Sequence, residues 1–208
     1  MNRILIITSS IQADSSVSNR LVRDYEAQLR DAHPGAEIVR RDVGAEPIPH
    51  LTSATVAGIR GDPRTAAEEE ARALSDKLVA ELQAADLVVI ASPMYNFGIG
   101  STLHSWFDHV LRARVTFRYT EAGPEGLLKG KQAVVIESRA GFYSQGEGKV
   151  MDGQERHIGN LLGFMGIDDV TFVRAEKLAF GPEAAEASIA AAAAQLKSLA
   201  GAELKLAA

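Results

Sequence analysis

The strongest constraint on the fold is an alternation of short apolar runs with amphipathic stretches. Ile4 to Ile7 is a run of branched apolar side chains, which is typical of a strand buried on both faces. Apolar residues then recur at helical spacing from Leu21 to Leu29. The same order continues along the chain, with no tandem repeat and no linker. The pattern predicts one α/β domain over residues 1–208, with a parallel sheet.

Several further elements follow from the same reading. A helix is expected after Thr65, where Glu68 completes a capping box, and Pro182 opens an alanine-rich helix ending near Leu199. A helix over 102–112 is also expected, whereas 42–63 reads as irregular. Strands are predicted at residues 4–7, 37–41, 87–91, 133–136 and 170–173.

Five strands with helical connections indicate a flavodoxin-like, three-layer sandwich with strand order 2-1-3-4-5 and helices on both faces. The second strand is less apolar and is expected near a sheet edge. In such sheets the ligand lies outside the carboxyl ends of the strands, where the strand order reverses. The chemistry is therefore expected in the loops that begin at Thr8, Ser92 and Ser138.

Composition excludes several classes of function. The net charge of -5 argues against nucleic acid as a partner, and the absence of cysteine removes disulfides, thiolate metal sites and thiol catalysis. No apolar run approaches the roughly 18 residues of a membrane span, and the N-terminus lacks a signal-peptide core. We therefore expect a cytoplasmic protein that does not bind membranes.

The first loop, TSSIQADSSVSN (8–19), indicates an anion site without a glycine motif. No glycine precedes Pro34, which excludes the G-x-G-x-x-G dinucleotide fingerprint. Free N–H groups and the positive end of a helix dipole attract a phosphate at a helix N-terminus. The alternative is that these serines only cap the helix. Hydroxyl groups are supplied here by Ser9, Ser10, Ser15, Ser16 and Ser18.

The second loop, SPMYNFGIG (92–100), ends a buried strand with large side chains. Met94, Tyr95 and Phe97 offer apolar or flat surface, while Asn96 offers both donors and an acceptor. A planar heteroaromatic ring with a polar edge suits that mixture. The alternative is that Met94 and Phe97 are only core side chains.

The third loop, SRAGFYSQGEG (138–148), has the composition of a mobile flap with polar donors at its root. The histidines show no metal-ligand spacing, so no metal site is expected. No G-x-S-x-G nucleophile elbow occurs either. With side chains this unreactive, a bound cofactor is expected to perform the chemistry.

These motifs resemble the FMN-dependent NADH:quinone oxidoreductases, also called FMN-dependent NADH azoreductases, over essentially the whole chain. The resemblance is carried by the serines of 9–19, by SPMYNF (92–97), by VTFRYTEAGPEGLLKGK (115–131) and by SRAG (138–141). It implies a homodimer with one FMN per subunit and active sites at the subunit interface. NADH or NADPH reduces the flavin by hydride transfer to N5, and a quinone or azo compound then takes two electrons. No side chain is implied to be catalytic.

The resemblance also implies a role for individual residues. The residues implied to bind the phosphate of FMN are Ser10, Ser16, Val17 and Ser18. Those implied to line the isoalloxazine ring are Met94, Tyr95, Asn96 and Phe97. Those implied to complete the far side of the ring are Ser138, Arg139, Ala140 and Gly141. The family usually has glycine where this chain has Ala140, and alanine would strain a loop that needs a positive φ. Substrate contact is implied for Phe117, Tyr119 and Phe142. Segments 51–62 and 142–150 are expected to shape substrate entry.

Two rival hypotheses stay open on the sequence alone. One is a flavodoxin-type electron carrier, which binds FMN and has no substrate pocket, and whose acidic charge suits basic partners. The other is a non-catalytic ligand sensor on the same fold. The projecting arm at 115–128 and the flap favour the enzyme, because a carrier needs its flavin edge free.

Overall fold

A computed structural model describes residues 2–201, and a five-stranded parallel sheet forms their centre. Its strands are β1 (Arg3–Thr8), β2 (Glu37–Asp42), β3 (Leu87–Pro93), β6 (Gln132–Ser138) and β7 (Asp169–Ala175), and a separate antiparallel hairpin comprises β4 (Phe117–Thr120) and β5 (Gly123–Gly126). The sheet order is β2-β1-β3-β6-β7. Because the hairpin stands outside the sheet, this order confirms the predicted 2-1-3-4-5 winding.

Helices cover both faces of the sheet. They are α1 (Val17–Ala32), α2 (Val56–Arg60), α3 (Ala66–Ala84), α4 (Ser101–Val110), α5 (Glu155–Met165) and α6 (Pro182–Ala200). Helices α1 and α6 pack on one face, and α3, α4 and α5 pack on the other. The stretch 42–63 is not wholly irregular, because it contains the short helix α2, which packs against α3.

The alternation of side chains along the strands builds the two halves of the core. In β1, Ile4 and Ile6 face α1 and α6, whereas Leu5 and Ile7 face the opposite layer. All four are buried, which explains why the run lacks alternating polar residues. Burying each such side chain contributes ~1.5–3 kcal/mol to folding.

The predicted start of α3 is confirmed in detail. The Thr65 hydroxyl accepts a hydrogen bond from the Glu68 N–H at 3.3 Å, and the Glu68 carboxylate accepts one from the Thr65 N–H at 3.0 Å. This capping box satisfies two N–H groups that the helix itself leaves unpaired. Strand β2, also as predicted, lies at the sheet edge.

The predicted arm is the β4–β5 hairpin, and its two aromatic residues differ in exposure. Phe117 is buried, and its ring centroid lies 4.6 Å from that of Phe164 on α5. Tyr119 stands on the same strand with 73% of its surface exposed. Within residues 2–201, none of the helices is long and apolar enough to cross a membrane.

Candidate functional site

The carboxyl ends of β1, β3 and β6 lie side by side, so the three loops that follow them meet. Thr8 pairs with Ala91 and Pro93 pairs with Ser138 in the sheet register. Beyond the strands, the Met94 N–H donates to the Ser138 carbonyl oxygen at 2.9 Å. The sheet therefore aligns the three loops at the edge where parallel sheets place their ligands.

The first loop brings hydroxyl groups to the N-terminus of α1. Ser16 is the N-cap: its Oγ accepts from the Asn19 N–H at 3.2 Å and lies 3.1 Å from Ser18 Oγ. The first turn of α1 carries no acidic side chain. The positive end of the helix dipole and the hydroxyls are thus not offset by a carboxylate there.

Other serines of the first loop serve the loop itself. Ser9 Oγ donates to the Ala91 carbonyl oxygen at 2.8 Å, and Ser10 Oγ accepts from the Gln12 N–H at 3.2 Å. Ser15 Oγ donates to the Gln12 carbonyl oxygen. The large number of serines therefore serves the structure of the loop as well as the predicted anion site.

The second loop turns back on itself within two residues. Tyr95 and Gly98 exchange backbone hydrogen bonds of 2.9 and 3.0 Å, and the residues between them, Asn96 and Phe97, have φ of 48° and 70°. Two positive φ values are typical of a type I′ turn, in which asparagine is well tolerated. A phenylalanine there stores backbone strain, which in proteins accumulates at functional sites.

Tyr95 connects the second loop to the first. Its Oη accepts a hydrogen bond from the Ile11 N–H at 3.1 Å. Its ring lies against Gly100, where a Cβ would come within 3.1 Å of the ring. Gly100 therefore makes room for the ring of Tyr95, which stands between the two cavities described below.

The third loop is bonded along its length to the segment after β7. The carbonyl oxygens of Arg139, Ala140 and Gly141 accept hydrogen bonds from N–H groups of residues 177–179, at 2.7 to 3.2 Å. The non-glycine residues with positive φ in the described chain do not include Ala140. Alanine therefore fits this position without left-handed strain.

Arg139 is fully buried among acidic groups. Its Nε donates to Gln154 Oε1 at 2.9 Å and its Nη2 to Glu137 Oε2 at 2.7 Å. Its Nη1 lies 3.2 Å from Glu176 Oε1 and 3.0 Å from Asp152 Oδ2. The guanidinium is thus bonded to protein groups, and Arg139 is available to a ligand mainly through its backbone.

Glu137 is an uncommon residue in this network. Burial raises the pKa of its carboxyl to about 8, against the opposing effect of Arg139, and nearby Glu155 and Asp152 raise it further. Glu155 itself is paired with Arg174, with two nitrogen–oxygen distances of 2.7 Å. Folding therefore favours the protonated form of Glu137.

A cavity of about 240 Å³ lies where the three loops meet. Of the predicted site residues it collects Ser16, Val17, Met94, Tyr95, Ser138, Arg139 and Ala140. Four further residues, which were not among the predicted site residues, complete it: Gln12, Pro93, Leu178 and Ala179. The remaining predicted cofactor residues are outside its lining: Ser10, Ser18, Asn96, Phe97 and Gly141.

A larger cavity, of about 590 Å³, lies on the other side of Tyr95 and reaches Asn96. It is walled by Ile11 and by the start of α4, and three histidines line it: His50, His104 and His157. The ring centroids of His104 and His157 are 5.2 Å apart. Burial, and secondarily the neighbouring His104, lowers the pKa of His157. Within residues 2–201, no three or more His, Cys, Asp or Glu side chains are grouped so that they could hold a metal ion.

Comparison with known proteins defines the family. Residues 2–200 match the sequence profile described as flavodoxin-like fold. A protein of Hyphomonas neptunium named FMN-dependent NADH:quinone oxidoreductase is 54% identical over 200 residues, which cover 96% of each chain. One of the same name from Agrobacterium fabrum is 47% identical over 96% of this chain and 98% of its own. This chain belongs to the flavodoxin-like family of FMN-dependent NADH:quinone oxidoreductases.

Solved structures agree with this family assignment. The azoreductase of Bacillus anthracis strain Sterne superposes with a TM-score of 0.89 at 29% identity, covering 97% of this chain and 99% of its own. An FMN-dependent NADH-azoreductase of Bacillus anthracis in complex with FMN superposes with a TM-score of 0.88 at 25% identity, covering 96% of this chain and 98% of its own.

The site in this family member fits the phosphate end of FMN. An anion would meet hydroxyls and unpaired N–H groups at the start of α1, with no opposing carboxylate in that turn. Met94 and Tyr95 supply apolar surface, and Ser138 and Ala140 line the same cavity. These side-chain types suit a flat ring joined to a polar chain.

The three predicted substrate residues lie away from both cavities in a single chain. Phe117 and Tyr119 are on the β4–β5 hairpin, and Phe142 packs against Lys177, whose ammonium is 4.1 Å from the ring centroid. None of them lines the cavity at the loops or the histidine-lined cavity. Their role in substrate binding stays a prediction.

Proposed function

We propose that this protein is an FMN-dependent NADH:quinone oxidoreductase that also reductively cleaves azo compounds. The observation that carries the proposal is the cavity between the N-terminus of α1, the Met94–Tyr95 wall and the loop after Ser138. Its relatives of 47 to 54% identity carry that name, and FMN-dependent azoreductases share its fold at a TM-score of 0.88.

FMN, when bound, would supply two-electron chemistry between NADH or NADPH and the quinone or azo acceptor. The chain's own residues hold and orient the cofactor. Ser16, Ser18 and the Val17 N–H would bind the phosphate, with Ser10 supporting the loop. The dipole of α1 favours the phosphate's negative charge at this position.

The ring end would be framed by the second and third loops. Met94, Tyr95 and Phe97 supply apolar surface that excludes water, and Asn96 supplies an amide for polar ring edges. Gly141 and the backbone of residues 138–140 would close the opposite side. The strained Asn96–Phe97 turn holds these side chains in one orientation before the cofactor arrives.

We further propose a homodimer in which the active sites lie at the subunit interface. The exposed Tyr119 on the hairpin, the exposed Ile11 beside the second cavity and the half-exposed Phe97 support it. Apolar surface of this kind is buried in stable assemblies. In a dimer, the exposed Tyr119 would reach the partner's pocket, whereas Phe117 packs against Phe164 of its own chain and would support the hairpin. A cytoplasmic location fits the use of a nicotinamide dinucleotide as donor.

The absorption spectrum of purified protein reconstituted with FMN tests the proposal. We expect a bound-flavin spectrum that bleaches when NADH is added without oxygen and returns when a simple quinone is added. Steady turnover with NADH and quinone, without any added reductase, separates the enzyme from an electron carrier. Failure to bind FMN, or FMN bound with no turnover, would reject this function.

A further inference from the structure

One carboxylate oxygen ties the start of the flap (residues 142–150) to Arg139, near the start of the third loop. Glu176 Oε1 accepts hydrogen bonds from the Tyr143 N–H at 2.9 Å and the Ser144 N–H at 3.0 Å. The same oxygen accepts from Arg139 Nη1 at 3.2 Å. Glu176 is buried and directly follows β7. The start of the flap is thus held from inside the protein.

The segment that carries Glu176 is itself fixed. The Glu176 N–H donates to Ser188 Oγ on α6 at 2.8 Å, and the Lys177 N–H donates to the Gly141 carbonyl oxygen at 2.7 Å. The Lys177 ammonium also lies over the ring of Phe142. The backbone that carries Glu176 is therefore fixed by hydrogen bonds to α6 and to the third loop.

Tyr143, whose N–H Glu176 holds, touches both loops that frame the ring end of the cofactor site. Its side chain crosses Gly141, where a Cβ would be only 2.6 Å from Tyr143 Oη. Its ring meets that of Phe97 edge to face, with centroids 6.0 Å apart. A shift of the Tyr143 backbone would therefore displace contacts on the second and third loops together.

The charge of Glu176 strengthens this arrangement. Burial alone would raise the pKa of its carboxyl, but hydrogen bonds from the flap, together with Arg139, outweigh that effect and lower it. The group is therefore ionised at neutral pH. Hydrogen bonds to an ionised acceptor are stronger than those to a neutral one.

We propose that Glu176 is a positioning residue for the FMN site, acting through Tyr143, Ser144 and Arg139 without touching the cofactor. It fixes the start of the flap relative to Arg139, so that the part of the site that would hold the flavin ring is formed before FMN binds. This inference rests on the proposed FMN-dependent function and names a residue that neither the loops' motifs nor the cavity lining includes.

The test measures FMN affinity and amide exchange in graded variants. Glu176→Gln keeps the shape and the acceptor oxygen but loses the charge, and we expect FMN binding to weaken about tenfold. Glu176→Ala removes the acceptor, and we expect a loss of about 100-fold. In Glu176→Gln, the Tyr143 and Ser144 amides should also exchange their hydrogens about tenfold faster in the FMN-free protein.

Glu26→Gln is the matched control. Glu26 is an equally buried carboxylate that is bonded to Arg30 and Arg40 rather than to the flap. The Glu26→Gln substitution should lower the melting temperature without changing FMN affinity or amide hydrogen exchange at residues 143 and 144. If the Glu176→Ala protein fails to fold, the Glu176→Gln protein alone tests the positioning role of Glu176. Wild-type affinity and exchange in Glu176→Gln overturn the inference, whereas wild-type protein that fails to bind FMN overturns the proposed function itself.

Discussion

The backbone N–H of Ile11 donates to the hydroxyl of Tyr95 at 3.1 Å, which joins the phosphate loop to the ring loop. Both loops follow neighbouring strands, so the bond fixes the distance between the two ends of the proposed FMN site. The bond is solvent-accessible, and water can replace Tyr95 as acceptor.

Tyr95→Phe should therefore separate positioning from stability. We expect the free energy of unfolding to fall by less than ~1 kcal/mol, because the exposed N–H finds water. FMN affinity should fall by about three- to tenfold, since the first loop is no longer tied to the second. Chemical denaturation and fluorescence titration with FMN measure the two quantities. A loss of stability without a change in FMN affinity would contradict this view of Tyr95.

Ser18→Ala tests whether the first loop binds phosphate or only caps α1. Ser18 is fully buried next to the capping Ser16, and removing its hydroxyl should weaken FMN binding by ~1–3 kcal/mol. Ser10→Ala is expected to act in the same direction. Ser15→Ala is the control, because Ser15 is exposed and bonds only within the loop. Unchanged FMN affinity in the Ser10→Ala, Ser18→Ala double variant would assign these serines to loop structure alone.

Asn96 allows its amide to be removed without backbone strain. Because its φ is 48°, Asn96→Gly should keep the free energy of unfolding within ~0.5 kcal/mol, whereas Asn96→Ala should cost ~1 kcal/mol through left-handed strain. If the amide binds the ring edge, both variants should weaken FMN binding to a similar extent. Equal stability of the two variants would show that the turn is not strained at this position.

Stability should depend on pH through Glu137. The pKa of this carboxyl rises from an ordinary 4.5 to about 8 on folding, so the folded state holds a proton that the unfolded state releases. The contribution of Glu137 to the free energy of unfolding is fully present below pH 4.5 and is lost as the pH rises through about 8. Wild-type melting temperature should therefore fall across this range more steeply than that of Glu137→Gln. Parallel melting curves for the two proteins would refute the protonated state.

The fold was predictable because its signal is local and repeated. Branched apolar runs such as Ile4 to Ile7 require burial on both faces, and the capping box at Thr65 fixes the start of α3 from four residues. Helix α2 was not predicted, because it has only five residues, one of them Gly58, and so few residues cannot show the helical repeat of apolar side chains.

The site was predictable only in part, since some of its residues are brought in by topology. Leu178 and Ala179 line the cavity because β7 lies beside β6 and their N–H groups bond to the third loop. No motif marks them in the sequence. Likewise, the motif that contains Arg139 could not show that its guanidinium is enclosed by Glu137, Glu176 and Asp152.

The proposed dimer makes two exposed aromatic residues behave differently. Tyr119, on the hairpin, and Phe180, after β7, are 73% and 62% exposed in the single chain. If the hairpin enters the partner's pocket, Tyr119→Asp buries a charge at the interface and should shift sedimentation from dimer to monomer at micromolar protein. Phe180→Asp should leave the dimer intact. A Tyr119→Asp protein that sediments like wild type would show that the hairpin lies outside the interface.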